Sequence, residues 1–568
     1  MRKKYWFIFI LVLFTVLSSM LGYFYIQKKN EYRQIAGVKY YNSTDISNLA
    51  VLCKIWGFVK YYHPSVVEGK YNWDDELINM MPKVLKSHNK DERNLMLSEW
   101  LASLENFEQE TLPELYPDSV RMYPDLDWIT DKTELGTLSD QLERIKTAKR
   151  NFKKDKFIQY SDNTISGEAE YNDPAYPVTE YRLLALFRFW NVIQYYYPYK
   201  YLISENWHKD LIEFIPKFID ARNELEYKLA ILELITKLND THAGMGWNNT
   251  IEKWKGENIA PYQVSFVEGK LVVTGVYAVR DTINTNHSIQ VGDVILSINK
   301  TPVENIIAEK IKYTPGSNYT AQLRRIADFI LRTNEKKMYV EYQHDGIQLN
   351  TVVSCYTMNR VNITSRIQRK ETLFKTIGDS IGYLYLGSTN GGVVPQTIDA
   401  KGLIIDLRCY PVYDKIGGYM DYALLYTKPQ VFVKFTMGNS KFPGLFQYLG
   451  ELTAGSENPN AYNGKKIILV NEVTQSHAEF IAMKYSVAEN SIIIGSTTAG
   501  ADGDVISLKM PGGIKVMFTG AGVYYPDGRE TQGVGIVPDI EVKPTIQGIK
   551  EGRDEVLNKA IELISEDR

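Results

Sequence analysis

Residues 466–480 read Lys466-Ile-Ile-Leu-Val470-Asn-Glu-Val-Thr-Gln-Ser476-His477-Ala-Glu-Phe480. The apolar run at the start predicts a buried strand of a parallel sheet, and the residues after the turn predict a helix. Ser476 falls at the turn itself. A serine there holds its hydroxyl at the carboxyl edge of the sheet, where the sites of α/β proteins collect, beside the free N–H groups of a helix N-terminus. The same context also fits an ordinary helix-capping serine.

Three further apolar runs resemble this strand, at 381–386, 402–406 and 491–495. Such near-continuous apolar strands suit a parallel sheet covered on both faces by helices. We therefore predict an α/β domain over 376–547, followed by a charged helix at 548–568.

The N-terminal half contains an internal repeat. Trp56-Gly-Phe-Val-Lys-Tyr-Tyr-His-Pro64 recurs as Trp190-Asn-Val-Ile-Gln-Tyr-Tyr-Tyr-Pro198, and a tryptophan and a proline follow at the same offset in both copies: Trp73 and Pro82, then Trp207 and Pro216. A constant offset without gaps indicates a duplicated unit, and the apolar spacing predicts two or three helices in each copy.

We place the helical repeats at 45–106 and 181–250, with an irregular connector between them at 107–180. The two copies differ at their ends. The second closes with Leu238-Asn-Asp-Thr-His242-Ala-Gly244, whereas Glu108 takes the place of His242 in the first. The first copy is therefore expected to have a structural role only, and the second to contain a functional residue.

The N-terminus is predicted to deliver the chain outside the cytoplasm. An uncharged apolar run of twenty-two residues extends from Tyr5 to Ile26 between basic flanks. At about 1.5 Å per residue this run is long enough for a hydrocarbon core of about 30 Å, and no cleavage site is obvious. Residues 1–30 are thus expected to be a membrane anchor or a signal segment, with the length of the run favouring the uncleaved anchor. The protein would be anchored or secreted, in the periplasm if the source is Gram-negative.

Composition excludes several functional classes. The net charge of -3 argues against a nucleic-acid partner. The histidines are scattered, and the three cysteines, Cys53, Cys355 and Cys409, lie far apart, so neither a metal site nor a disulfide framework is predicted.

In residues 258–358 the sequence pattern changes to short runs typical of β-strands, separated by glycine-containing turns. The piece Gly292-Asp293-Val-Ile-Leu-Ser-Ile-Asn299 resembles the turn and strand of PDZ domains, although a generic hairpin would also fit it. PDZ domains bind an extended C-terminal peptide by adding it as a strand to their own edge. The resemblance implies a PDZ-like domain, with Gly292 and Asp293 contacting substrate.

The pattern Thr474-x-Ser476-x-Ala478-Glu479 resembles the nucleophile motif of tail-specific, or C-terminal-processing, serine peptidases. The ending Gly533-Val-Gly-Ile-Val-Pro538-Asp-Ile-Glu-Val542 is typical of the same superfamily, and the resemblance covers about 180–547. It implies a serine peptidase that forms an acyl-enzyme, needs no cofactor, and acts on peptides or proteins through their C-termini. The expected fold is α/β and multidomain: a membrane helix, a duplicated helical domain, a PDZ-like β domain and a protease core of the ClpP/crotonase type.

The bacterial branch of that family uses a lysine base in a T-x-G-K-G segment. Here the segment is Thr498-Ala-Gly-Ala-Asp-Gly503, with alanine in the place of the lysine, and Lys484 is expected to be solvated. The tricorn-core branch uses a histidine and a glutamate instead. The resemblance to that branch assigns Ser476 as nucleophile, His242 as base and Glu530 as orienting carboxylate. It also places Thr241 in the site, and leaves three rival carboxylates: Asp502, Asp504 and Asp527.

The oxyanion donors are expected to be the main-chain N–H of His477 and those of the loop at Cys409 and Tyr410. Relatives often have a glycine pair in this loop, whereas here Gly417-Gly418 comes only later. An inactive relative that binds peptides or an apolar ligand therefore stays open as an alternative.

Overall fold

The computed structural model of the chain describes residues 41–566 except 112–115, 159–164, 166, 204–205, 281–287, 364–369, 379, 391–397, 413–422 and 440. The predicted anchor at 1–30 lies outside the described residues. Among the described helices, none combines the length and apolarity that crossing a bilayer requires.

The first helical unit comprises α1 (Ser43–Tyr62), α2 (Pro64–Val67), α3 (Trp73–Val84) and α4 (Lys90–Ala102). The second comprises α7 (Thr179–Tyr196), α8 (Trp207–Asp220) and α9 (Glu224–Thr236). The segment between them, predicted to be irregular, instead carries regular elements: β1 (Val120–Met122), α5 (Lys132–Leu135) and α6 (Leu138–Lys146).

The sequence repeat reappears as repeated hydrogen bonds. In the first unit the indole N–H of Trp56 donates to the main-chain oxygen of Trp73 at 2.8 Å, and that of Trp73 donates back to Trp56 at 2.9 Å. Trp190 and Trp207 exchange the same two bonds in the second unit, at 2.9 and 3.1 Å. Each pair ties the long first helix of its unit to the next long helix.

The two units face each other about a pseudo-two-fold axis. Helix α1 packs against α8, and the equivalent pair α7 and α3 also pack together. At the crossing of α1 and α7, Gly57 meets Asn191, which occupies the equivalent position in the second unit. A Cβ on Gly57 would lie 1.8 Å from Oδ1 of Asn191, whose Nδ2 donates to the Cys53 oxygen at 3.0 Å. Equivalent residues that meet in this way are the mark of an isologous contact.

The β domain begins after β2 (Gly244–Met245) and α10 (Asn249–Lys255). Its strands are β3 (Asn258–Ile259), β4 (Tyr262–Val267), β5 (Lys270–Val276), β6 (Ala278–Val279), β7 (Val294–Ile298), β8 (Thr301–Pro302), β9 (Arg332–Thr333), β10 (Lys337–His344), β11 (Ile347–Ser354), β12 (Tyr356–Thr357) and β13 (Val361–Asn362). The main sheet has the order β11-β10-β7-β5-β4 and packs with α11 (Val303–Lys310) and α12 (Tyr319–Ala327).

Gly292 and Asp293 have structural partners in this domain. Gly292 has a φ of +93°, and a Cβ there would lie 2.7 Å from Cβ of Lys550. The buried Asp293 carboxylate accepts from the Gln290 N–H at 2.8 Å and contacts Nδ1 of His344 at 2.6 Å. The turn is thus closed on itself and covered by the C-terminal segment at Lys550. The substrate contact expected of Gly292 and Asp293 stays a prediction.

The core is built on a sheet of order β14-β15-β16-β19-β20-β24, in which only the β14–β15 pairing is antiparallel. Its strands are β14 (Phe374–Ile377), β15 (Ile381–Tyr385), β16 (Gly402–Asp406), β19 (Lys465–Val470), β20 (Ser491–Gly495) and β24 (Ile540–Glu541). The described α-helices of this region are α13 (His477–Ser486), α14 (Ile546–Glu551) and α15 (Glu555–Ser565). Strands β15, β16 and β19 are buried almost throughout, as their apolar runs predict.

Two smaller sheets join the core to the rest of the chain. One has the order β1-β18-β17-β23, with β17 (Gln430–Gly438), β18 (Phe446–Ala454) and β23 (Gly522–Tyr524). The other has the order β2-β22-β21, with β21 (Val505–Met510) and β22 (Ile514–Thr519). Through them the connector and the end of the second helical unit each add an edge strand to the core.

The Gly57–Asn191 contact yields a stability prediction. Substituting Gly57→Ala should lower the free energy of unfolding by about 1–3 kcal/mol, because the new methyl overlaps the Asn191 amide in a packed interface. The exchanged pair Gly57→Asn with Asn191→Gly should recover most of the loss, since the two units are related by pseudo-symmetry. Urea unfolding of the full chain measures both. A Gly57→Ala protein with an unchanged midpoint would contradict the packing described here.

Candidate active site

Ser476 lies between β19 and α13 in a backbone conformation that non-glycine residues rarely adopt, with φ 57° and ψ -124°. Such a conformation costs about 1–3 kcal/mol and persists only where the surroundings impose it. Its N–H donates to the Ala501 oxygen at 2.8 Å and to Oε2 of Glu479 at 3.0 Å. An ordinary capping serine has an extended backbone, whereas Ser476 is the N-cap of α13 and forms a capping box with Glu479 in this rarely adopted conformation.

Glu479 holds the segment that follows β20 against the turn at 471–476, which contains the predicted nucleophile Ser476 and is called the nucleophile turn below. Its fully buried carboxylate accepts the N–H groups of Gly500 at 2.8 Å and Ala501 at 3.0 Å, and the hydroxyl of Thr498. Burial raises the pKa of this carboxyl above its usual range, although these hydrogen bonds oppose the shift. The loop 498–501 (the bridging loop) is therefore fixed to the same carboxylate as Ser476.

His242 is oriented by a hydroxyl and a buried carboxylate. Its Nδ1 lies 2.9 Å from Oγ1 of Thr519, the last residue of β22. That hydroxyl is 3.0 Å from Oδ1 of Asp240, and the Thr519 N–H donates to Oδ2 of Asp240 at 2.8 Å. The His242 N–H donates to the same carboxylate at 2.8 Å.

This chain of contacts determines the tautomer of His242. A carboxylate has no proton to give, so the single hydroxyl proton of Thr519 must point at Asp240. The hydroxyl oxygen then accepts, and Nδ1 of His242 must carry the ring proton. Nε2 is left with its lone pair, buried and without a hydrogen-bond partner among the described atoms. This is the form that a general base requires.

The pKa of His242 is lowered, chiefly because the ring is buried away from water. The carboxylates of Asp240 and Asp504 raise this pKa, and the guanidinium of Arg325 lowers it. The net effect favours the neutral ring at neutral pH.

Thr241 joins the histidine segment to the bridging loop. Its hydroxyl donates to the Ala499 oxygen at 3.0 Å and accepts the Ser317 N–H at 2.8 Å. The Ala499 N–H in turn donates to the oxygen of Thr474, two residues before Ser476, at 3.0 Å. His242 and Ser476 therefore flank one loop, although Nε2 and the Ser476 hydroxyl are not hydrogen-bonded to each other.

Two adjacent arginines of α12 hold the two segments from the β domain. The Arg325 guanidinium donates to the oxygens of Thr241 and Ala243, the latter at 3.0 Å, and burial lowers its pKa to about 10. Arg324 donates to Oε1 of Gln475 at 2.7 Å and to the Glu472 oxygen at 3.0 Å. One helix thus contacts both the histidine turn and the nucleophile turn.

Glu530, the predicted orienting carboxylate, has other partners. It is ion-paired with Arg121 of β1 and accepts the Tyr201 hydroxyl at 2.9 Å. The Arg121 guanidinium also lies 4.9 Å from the centroids of the Tyr201 and Tyr524 rings. Thr519, and not Glu530, contacts Nδ1 of His242. Glu530 pairs instead with Arg121, which β1 brings to it and which the sequence did not predict as its partner.

The rival carboxylates and Lys484 can also be placed. Asp527 is exposed and paired with Arg529. Asp502 is buried, with Oδ2 lacking a partner among the described atoms, and burial together with Glu479 raises its pKa well above the usual range. Lys484 is buried rather than solvated, with its ammonium 5.7 Å from the Phe432 ring centroid.

The predicted oxyanion loop starts beside the nucleophile turn. The Thr474 hydroxyl donates to the Leu407 oxygen at 2.8 Å, which ties the end of β16 to that turn. Cys409 is fully buried and Tyr410 is 40% exposed. Gly417 and Gly418 lie outside the described residues, and His477 begins α13 directly after Ser476. Within the described ranges, no cluster of His, Cys, Asp and Glu side chains is arranged to hold a metal ion.

Sequence reasoning missed Asp240 and Thr519. Asp240 precedes His242 by two residues, a spacing that lets a carboxylate accept main-chain N–H groups of the same turn. Thr519 carries no comparable signal, because it is the end of an unremarkable strand from a distant part of the chain.

Comparison with known proteins identifies both C-terminal domains. The model of peptidase family S41 matches residues 391–542, and a PDZ domain model matches 256–369. No curated protein matches the sequence.

Several solved structures are similar. Mature CPAF complexed with lactacystin is 15% identical, with a TM-score of 0.51, over 68% of this chain and 99% of that one. The photosystem II D1 C-terminal processing protease is 17% identical over 66% and 98% of the chains, with a TM-score of 0.36. Tricorn protease is 14% identical over 68% of this chain and 37% of that one, with a TM-score of 0.34.

The similarity to CPAF supports the fold, and the domain matches confirm the family and the PDZ domain that the motifs at Ser476 and Gly292 predicted. Residues 391–542 therefore form a domain of the peptidase family S41 type, a family of serine peptidases, and a PDZ domain at 256–369 lies ahead of it.

Proposed function

We propose that the protein is a C-terminal-processing endopeptidase in which Ser476 is the nucleophile and His242 the general base. Asp240 orients the base through Thr519, in the role first predicted for Glu530. The observation that supports this proposal is the contact of Nδ1 with the Thr519 hydroxyl, which itself donates to Asp240, because this arrangement leaves Nε2 of a buried histidine able to accept a proton.

In the proposed reaction, Nε2 takes the proton of the Ser476 hydroxyl as the oxygen attacks the scissile carbonyl. The imidazolium then gives that proton to the leaving amine, and the acyl group stays on Ser476 until water hydrolyses it. The N–H of His477 and those of Cys409 and Tyr410 are the proposed donors to the oxyanion.

The free protein lacks a bond between the hydroxyl and Nε2, and we propose that the bond forms when substrate binds. Catalytic hydrogen bonds are often long or absent before substrate is bound. The strained backbone of Ser476 and the shared bridging loop support this, because they hold both residues on one side of the site.

The proposed substrate is a peptide or protein with a free C-terminus, which the PDZ domain would hold as an added strand. We also propose that the enzyme works outside the cytoplasm, anchored to the membrane or secreted, since the run from Tyr5 to Ile26 is long and apolar.

Labelling with a fluorophosphonate probe tests the nucleophile and the base. The full chain should acquire one adduct on Ser476, located by mass spectrometry of its peptides. His242→Ala should reduce the labelling rate at least about 100-fold, because no base then activates the hydroxyl. His88→Ala, a change at an exposed histidine, is the matched control and should label like the natural protein. A folded protein that does not label would favour an inactive, ligand-binding relative.

Paired substitutions separate the two candidate carboxylates. Asp240→Asn should lower kcat by on the order of 10²–10⁴-fold, because an amide that donates to Thr519 favours the wrong tautomer of His242. Thr519→Val should have a similar effect, whereas Thr519→Ser keeps the hydroxyl and should keep most of the activity. Glu530→Gln should cost less than tenfold, since Glu530 contacts Arg121 and Tyr201. Steady-state peptide hydrolysis measures all four. The reverse order, with Glu530 dominant, would refute the assignment.

The lowered pKa of His242 gives a pH prediction. The ring must be neutral to act as a base, so kcat/KM falls as pH drops through its pKa. Because burial lowers that pKa below its usual value of about 6.5, the acid limb should have its midpoint below pH 6.5. In Asp240→Asn the midpoint should move lower still, because the carboxylate that raises the pKa is gone. A midpoint above 6.5 in the natural protein would contradict the burial argument.

A further inference from the structure

A cavity of about 470 Å³ adjoins His242, and none of its lining residues comes from α13 or from residues 407–412. Its walls come from the end of the second helical unit, from α10, from β22 and from the segment of the PDZ domain around α12. The cavity is therefore lined by the base of the proposed catalytic pair and not by Ser476. Its volume lies within the usual range for ligand sites, about 300–1,000 Å³.

Six apolar or aromatic residues line this cavity together with polar ones: Met245, Trp247, Ile251, Trp254, Tyr313 and Phe329. Trp254 packs edge to face against Tyr313, with ring centroids 5.5 Å apart. The Lys310 ammonium lies 4.3 Å from the centroid of the Trp254 ring. These contacts hold the aromatic wall in place before any ligand arrives.

Trp247 is the most exposed part of the wall, at 83% of its surface. Its indole N–H donates only to the neighbouring Asn249 side chain, at 3.1 Å. A large aromatic ring exposed beside a cavity is typical of a surface that binds a partner group.

The charges around the cavity are paired with groups of the protein. Arg332 is 2.7 Å from Oε2 of Glu252, and Lys255 is 3.0 Å from its Oε1. Arg325 is occupied by main-chain oxygens, among them that of Ala243 at 3.0 Å. The cavity is therefore suited to a neutral, apolar group rather than to an ion.

The position of the cavity assigns it to one side of the substrate. In serine peptidases the base gives its proton to the nitrogen of the leaving group, so the residues beyond the scissile bond lie on the histidine side. Here that side continues from His242 towards Tyr313 and Phe329 of the PDZ domain. A substrate whose C-terminus is held by that domain would pass this cavity.

We propose that the cavity binds an aromatic or large aliphatic side chain of the substrate, within the first residues on the carboxyl side of the scissile bond. This inference rests on the proposed peptidase function for its direction along the substrate. It makes the cavity a determinant of cleavage specificity.

Two variants of the full chain alter the cavity in opposite ways. Trp247→Ala removes part of the wall at an exposed position. Gly244→Phe fills space, because Gly244 lines the cavity and a Cβ there meets nothing within 4 Å. Tyr116→Ala is the control, since Tyr116 is a large aromatic residue with 79% exposure that does not line the cavity.

Mapping of cleavage sites in unfolded casein by mass spectrometry measures which residues the enzyme prefers on the carboxyl side of the cut. The natural enzyme and Tyr116→Ala should show aromatic and large aliphatic residues enriched among the first three positions after the cut. Trp247→Ala should lower that enrichment about fivefold, the size expected for one aromatic contact. Gly244→Phe should shift it to Gly and Ala. Cleavage with the same preference in both cavity variants would overturn the cavity proposal and leave the peptidase function intact.

A binding measurement separates the two proposals. Ser476→Ala protein is titrated with the blocked pentapeptides Ala-Ala-Phe-Ala-Ala and Ala-Ala-Ala-Ala-Ala by calorimetry. The phenylalanine peptide should bind at least about fivefold tighter, and Trp247→Ala should abolish the difference. This result together with no hydrolysis by the natural chain would sustain the cavity and overturn the peptidase. Equal affinities for the two peptides would overturn the cavity.

Discussion

The carboxylate of Asp240 is the contact on which the site depends. It comes from the helical half of the chain, yet it accepts both the main-chain N–H and the hydroxyl of Thr519 on β22. It also accepts the N–H of His242, so one buried anion positions the histidine and joins two domains. An unpaired buried carboxylate is costly, and these three donors offset that cost only while the domains stay together. The geometry of the site therefore depends on the helical domain staying docked on the core.

The bridging loop likewise joins two parts of the chain, the turn that contains Ser476 and the segment that contains His242. Glu479 holds the loop and the strained turn of Ser476 together, while Thr241 reaches the loop from the histidine segment. Arg324 and Arg325 add the PDZ domain to this arrangement. Three domains thus contribute polar groups to a small volume, and the cavity beside His242 lies where they meet. The same junction that orients His242 also forms a wall of this cavity.

The two units of the duplicated helical domain share their packing but end in different ways. Both units keep their reciprocal tryptophan bonds and pack about a pseudo-two-fold axis, with Gly57 facing Asn191. Only the second unit continues through Asp240 and His242 into a strand that pairs with β22. The first unit ends instead in the connector, whose strand β1 delivers Arg121 to Glu530. The sequence difference between Glu108 and His242 therefore accompanies a structural one: the ends of the two units pack against different parts of the core.

Sequence alone identified the features that depend on local pattern: the apolar strands, the turn serine Ser476, the helical repeat, the Gly292 motif and the family. It also predicted a role for His242, from the resemblance to the tricorn-core branch and from the difference between the two copies of the repeat at that position. Tertiary structure decided the partners of these residues. Thr519 rather than Glu530 contacts His242, since a hydrogen bond between residues far apart in the chain depends on how sheets and domains dock, and no local periodicity records that. The burial of Lys484 and the role of Gly292 in a covered turn were decided in the same way, by neighbours that only folding brings near.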